Sequence, residues 1–306
     1  MRISRLSEFF MWVSLSVLLS ISSGWAGEWR TAPLNPEYIE YVQDVEAKSG
    51  AMNTLPEWNS TGCTPFPVDL SHVDGRDVLS TAKRALIFPR SYDLRSLGYI
   101  TPVRDQNPYG TCWSFGAMGS WESNMRKTTG TVCDLSEWHL AYFAYVDEEA
   151  DLPAFTARSP QFGADPIFDQ GGNILKSTAI LARWTGAVAE KDRPYQNDTG
   201  WPESARPLAS DPPSFRLEDS LFLGSNFDSD TVKAAIMDYG AVTFRVVWDS
   251  SSYNRLTYSY YNPNMTGGGH ALVIVGWDDD YPASSFTHDP GTNGAWIVKN
   301  SWGTDW

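Results

Sequence analysis

Cysteine is scarce, with three in 306 residues. So few thiols exclude a small scaffold that relies on several disulfides in place of a core. The four histidines include no pair at helical ligand spacing, and the cysteines are widely separated, so no metal centre is expected. Basic residues are outnumbered, 23 Lys+Arg against 37 Asp+Glu, giving a formal net charge of -14. No run of Lys or Arg interrupts that excess, whereas nucleic-acid binding needs a basic footprint to release counterions. Nucleic acid is therefore excluded as a partner. No apolar run reaches the roughly 18 residues of a membrane span. What the chain has in quantity is aromatic surface: 14 Trp, 14 Tyr and 14 Phe. That excludes a disordered chain, and the length suits one large domain or two small ones with ample core.

The N-terminus reads as a signal peptide over residues 1–26. Arg2 and Arg5 supply a positive start diluted by Glu8, Phe9 to Ile21 is apolar, and Gly24-Trp25-Ala26 offers small residues at a cleavage site. The alternative is an uncleaved anchor, for which the stretch is short. The expected location is secreted, periplasmic or at the cell surface, with no membrane span after signal removal. Residues 27–88 have little periodicity. Tyr38 to Lys48 predicts one short helix after Pro36, and Thr64-Pro65-Phe66-Pro67 predicts extended chain. This stretch reads as a pro-region or an N-terminal wrap.

From Pro89 the patterns strengthen. Helices are expected over Cys112 to Lys127, with Gly130 as C-cap, over Ser136 to Tyr145, Ile174 to Trp184 and Thr231 to Tyr239. Ala241 to Trp248, Ala271 to Trp277 and Ala295 to Lys299 are short β-branched runs bounded by Gly and Asp, hence strands. Helices first and strands second argue α+β with segregated lobes.

Cys112 follows the Gly110-Thr111 turn and opens a helix, where the macrodipole and unsatisfied N–H groups favour thiolate, the nucleophilic form. Gln106, six residues earlier, is a neutral donor suited to a developing oxyanion. A base must come from four histidines. His72 lies in the pro-region, His139 in a helix and His288 in a polar loop. His270 follows Gly267-Gly268-Gly269 and opens a strand, beside backbone of minimal bulk. Asn300 offers an amide that accepts from an imidazole N–H and fixes its tautomer. Trp302, two residues on, can cover that bond.

Gln106, Thr111-Cys112-Trp113-Ser114-Phe115, His270-Ala271 and Val298-Lys299-Asn300-Ser301-Trp302-Gly303 resemble the signature blocks of the papain-like cysteine peptidases. Pro89-Arg90-Ser91-Tyr92-Asp93-Leu94-Arg95, Leu135-Ser136-Glu137 and Gly171-Gly172 add supporting matches, and the resemblance covers about residues 88–306. It implies a peptidase domain over 89–306 with two lobes, one helical and one β-barrel-like, and a cleft between them. It further implies an endopeptidase of protein or peptide substrates, made as a zymogen and needing no cofactor. Cys112 would be nucleophile, His270 base and then acid, and Asn300 its orienter shielded by Trp302. Gln106 and the Cys112 N–H would form the oxyanion hole. Gly171, Gly172 and Gly269 would face substrate, Gly172 by strand-type pairing.

The chain departs from the family pattern in several places. Tyr109 stands where the family has a cysteine, so its usual disulfides are absent, leaving Cys63 and Cys133 either paired or as two free thiols. His270 follows Cys112 by 158 residues and Asn300 by 188, beyond the family's roughly 130–150. Part of the surplus holds Asp278-Asp279-Asp280, a solvated acidic turn or, less in keeping with calcium's alternating ligands, a cation site. The resemblance also implies further strands beyond Trp306. Two other readings compete: a catalytically silent binding or adhesion protein on this scaffold, and a transglutaminase-like acyl transferase, which commonly uses an Asp orienter.

Overall fold

The computed structural model describes residues 32–49, 62–71, 87–146, 167–198, 200–223 and 228–306. Residues 1–26 and His72 lie outside them. In chain order the main elements are α1 (Pro36–Ser49), β1 (Ser91–Asp93), α2 (Cys112–Thr129), α3 (Glu137–Phe143), α4 (Ile174–Ala182), α5 (Ser229–Tyr239), β2 (Val242–Trp248), β3 (Tyr253–Asn254), β4 (Ser259–Tyr260), β5 (Gly268–Asp278) and β6 (Ala295–Lys299).

Local chemistry sets the helix ends. Ser136, Asn173 and Asp228 each accept a backbone N–H of the first turn, of His139, Lys176 and Thr231 respectively. The expected start at Ser136 is therefore a cap, one residue outside α3. Helix α2 ends in Arg126 and Lys127, which suit the negative end of its dipole. Gly130 follows at φ 72°, a left-handed conformation that glycine adopts without penalty.

Two hydrophobic cores form. The helical one gathers Trp113, Met118, Leu135, Trp138, Leu140, Phe168 and Leu181. Trp138 stacks on Phe168 at 3.6 Å between centroids. The second packs Val232 and Ile236 of α5 against Val273, Ile274, Val275 and Trp277 of β5, with Leu94. Strand β5 is buried along all but its last residue, because its neighbours cover both faces, which is why it reads as a continuous apolar run rather than an alternation. It pairs antiparallel with β1, β2 and β6.

Strand β1 comes from the start of the domain yet joins this sheet, so the lobes are segregated by packing and not strictly by chain order. The barrel-like expectation needs correction. Among the described residues the sheet is open, with β5 at its centre and β1, β2 and β6 each pairing only with it; closure requires the outer strands to pair as well. The sequence reading also lacked β1, β3 and β4, which are only two or three residues long.

The acidic turn after β5 is held by cations of the chain itself. Asp279 accepts from Lys233 Nζ at 2.7 and 2.8 Å, and Asp280 pairs with Arg90.

Candidate active site

The start of helix α2 meets strand β5, and each brings one of the expected site residues to the meeting point. Cys112 opens α2 and His270 is the third residue of β5; both are fully buried. The Ala271 N–H donates to Cys112 Sγ at 3.3 Å. His270 Nε2 lies 2.8 Å from Asn300 Oδ1. An amide oxygen can only accept, so Nε2 carries the hydrogen and Nδ1 is the acceptor nitrogen of the neutral ring. Trp302 stacks on the imidazole at 4.4 Å and 19°, and Trp248 of β2 meets both His270 and Trp302 edge-on. This wall of indoles keeps water from the His270–Asn300 bond.

Gln106 is buried and held at both ends of its amide. Its Nε2 donates to the Tyr109 carbonyl at 3.0 Å, and its Oε1 accepts from Ser301 Oγ at 2.7 Å. The Gln106 N–H also donates to the Ser301 carbonyl at 2.7 Å. The segment carrying Asn300 and the loop carrying Gln106 are thus tied together. Tyr195 does the same for the helix start: its hydroxyl donates to the Gln106 carbonyl at 2.7 Å and accepts from Thr111 Oγ1 at 2.6 Å. Sequence reasoning named neither Ser301 nor Tyr195 for these roles. Ser301 sat inside a motif read for its neighbours, and Tyr195 carries no local signal.

Residues 62–64 of this chain lie against the three glycines expected to face substrate. The Gly172 N–H donates to the Gly62 carbonyl at 2.9 Å, and the Thr64 N–H to the Gly172 carbonyl at 2.7 Å, a parallel bridge centred on Cys63. The Cys63 N–H donates to the Gly269 carbonyl at 3.0 Å. The close approach depends on missing side chains: a Cβ on Gly269 would lie 2.0 Å from the Cys63 carbonyl oxygen, and one on Gly62 would lie 1.9 Å from the Gly110 oxygen. Asn173 Nδ2 reaches Thr64 Oγ1 and the Pro65 carbonyl. Farther along, Val68 bridges to Leu34 beside α1, whose Glu37 pairs with Arg245 of β2 at 2.7 Å.

All three cysteines are free. The possible Cys63–Cys133 pairing is therefore corrected: Cys63 lies against the Cys112 side chain, while Cys133 lies near Glu122 and Asp134. Burial pushes the Cys112 thiol well up, and the adjacent Cys63 pushes it further, outweighing the Ala271 and Trp113 N–H groups that lower it. The thiolate expected at a helix N-terminus is thus disfavoured while residues 62–64 cover it. Of the other histidines, His139 packs on Phe143 at 4.7 Å and burial pulls it down to about 4. His288 is half-buried in the β5–β6 connection. No group of His, Cys, Asp or Glu able to hold a metal ion occurs among the described residues.

The family model described as papain family cysteine protease matches residues 88–306. Mouse procathepsin L is 27% identical over 226 residues, covering 72% of this chain and 58% of its own. The probable cysteine protease RD19C of Arabidopsis thaliana is 27% identical over 221 residues, covering 71% and 54%. Among solved structures, the cysteine protease and lectin-like domains of Cwp84, a surface layer associated protein of Clostridium difficile, superpose with TM-score 0.65 at 30% identity. That match covers 90% of this chain and 54% of the other. The chain thus spans little more than half the length of these relatives.

Proposed function

The chain belongs to the papain family of cysteine proteases, and from that premise we propose that it is an exported cysteine endopeptidase whose cleft is filled by its own pro-region. Cys112 passes its proton to His270 Nδ1 and attacks the substrate carbonyl carbon. The oxyanion receives hydrogen bonds from Gln106 Nε2 and the Cys112 N–H. His270 then protonates the leaving amine, and water, activated by the same imidazole, hydrolyses the thioester. Asn300 holds the ring through Nε2. Substrate takes the place of residues 62–64, its backbone on Gly172 and Gly269. The observation that carries this reading is the 2.8 Å His270–Asn300 bond set beside Cys112.

Residues 1–26 act as signal peptide, residues 27–88 as pro-region and residues 89–306 as the peptidase domain. The location is secreted, periplasmic or at the cell surface; among the described residues no helix is long and apolar enough to cross a membrane.

The test uses a vinyl-sulfone peptide probe on Gly62→Val, in which the new side chain cannot fit against Gly110. Expected are labelling at Cys112, its loss in Gly62→Val with Cys112→Ala, and peptide hydrolysis that added amine does not divert. A Gly62→Val protein that folds but whose Cys112 reacts no faster than an ordinary thiol would overturn the reading.

A further inference from the structure

An apolar residue at position 63 would cover the cleft as well as a thiol does. The chain instead sets a second cysteine against the first. Cys63 is 5% exposed and Cys112 fully buried, both in one cluster; Cys63 bonds to Gly269 and the Ala271 N–H, two residues on, donates to Cys112 Sγ, so the two thiols share one end of β5. Backbone bonds fix Cys63 from both sides, to Gly269 through its own N–H and to Gly172 through its two neighbours. Cys133, the remaining thiol, lies in a different environment beside Glu122 and Asp134.

We propose that Cys63 and Cys112 are the two halves of a reversible disulfide that locks residues 62–64 in the cleft, so that release of the peptidase requires a reductant. The inference rests on the reading of Cys112 as nucleophile and of residues 62–64 as cover. The oxidant is a small-molecule disulfide, RSSR. The Cys63 thiol, the more exposed of the two, attacks it and forms a mixed disulfide, releasing one RSH. Cys112 then attacks Cys63 Sγ and releases the second RSH. Two protein thiols lose their hydrogens and one small disulfide is reduced, so one S–S bond breaks and one forms. Excess thiol drives the same steps backwards. Exported proteins meet oxidising surroundings in which such bonds persist. While the bond stands, cutting the chain elsewhere in the pro-region leaves the Cys63 peptide on Cys112.

The test equilibrates the whole chain with oxidised or reduced glutathione, blocks free thiols by alkylation, and maps peptides without reduction. Expected is a Cys63–Cys112 peptide pair in the oxidised sample that dithiothreitol dissolves and that Cys63→Ser cannot form. Probe labelling of Cys112 should be at least roughly tenfold slower in the oxidised wild type than in the reduced one, because a sulfur held in a disulfide has no thiolate to attack the probe. Glutathione on Cys112 with Cys63 free, or Cys63 joined to Cys133, would overturn the latch. Reduced Gly62→Val separates the two ideas. If its Cys112 takes the probe while no cross-link forms in wild type, the latch fails and the peptidase reading stands. A cross-link in wild type with Cys112 inert in reduced Gly62→Val gives the reverse.

Discussion

Gln106 is positioned more tightly than a single donor requires. Ser301 Oγ and the Tyr109 carbonyl hold the two ends of its amide, which fixes the amide plane and leaves one Nε2 hydrogen for the cleft. A donor whose hydrogen bond strengthens only as charge develops acts on the transition state. Gln106→Ala in the uncovered enzyme should therefore lower kcat about 10²–10³-fold with KM little changed. Steady-state kinetics on a peptide substrate check this; an equal loss carried by KM would make Gln106 a ground-state binder instead. The same scale accounts for the raised Cys112 thiol. Its position favours thiolate, but burial beneath Cys63 outweighs the helix terminus.

Strand β5 is the element on which the site hangs. It presents His270 near one end, pairs with β2 beside the cleft, and takes β1 and β6 at its far end. The ladder with β6 shifts register between Ile274 and Gly276, and a Cβ at Gly276 would lie 2.1 Å from the Tyr92 carbonyl oxygen of β1. That neighbour is backbone, which cannot swing aside. Gly276→Val should therefore displace β1 and destabilise the fold by about 1–3 kcal/mol, measured from the urea midpoint. An unchanged midpoint would mean that β1 is not needed to hold the sheet. The contacts of Gly62 show the same dependence on backbone approach, there between residue 62 and Gly110.

At the scale of the whole molecule, buried charge joins the lobes. Lys299 of β6 donates to Thr101 Oγ1 at 3.0 Å, and Thr101 Oγ1 donates to Glu122 of α2 at 2.5 Å. Glu122 and Glu137 both act on Lys299 and are themselves pushed up by burial. Removing the one cation on β6 takes away the donor to Thr101 and the positive charge that Glu122 and Glu137 face. Lys299→Met should cost roughly 1–3 kcal/mol, read by chemical denaturation. A loss below about 1 kcal/mol would show that the carboxyls are protonated and need no cation. Because Asn300 follows Lys299, the variant should also disturb the His270 orientation and lower kcat.

The residues that meet at the candidate site were legible in the chain because each stands in a short motif with its own chemistry: Cys112 at a helix start, His270 after three glycines, Asn300 two residues before Trp302. Helix positions were legible for a similar reason, since caps such as Asn173 and Asp228 act on their own first turn. What only the tertiary structure decided depends on contacts across long separations. Three-residue β1 is a strand only because Gly276 lies opposite it. The sheet stays open because β6 pairs with β5 alone among the described strands. The partner of Cys63 could not be inferred from cysteine counting, because three cysteines leave the choice between Cys112 and Cys133 to the path of the backbone. That path, threaded between Gly172 and Gly269, sets Cys63 against Cys112.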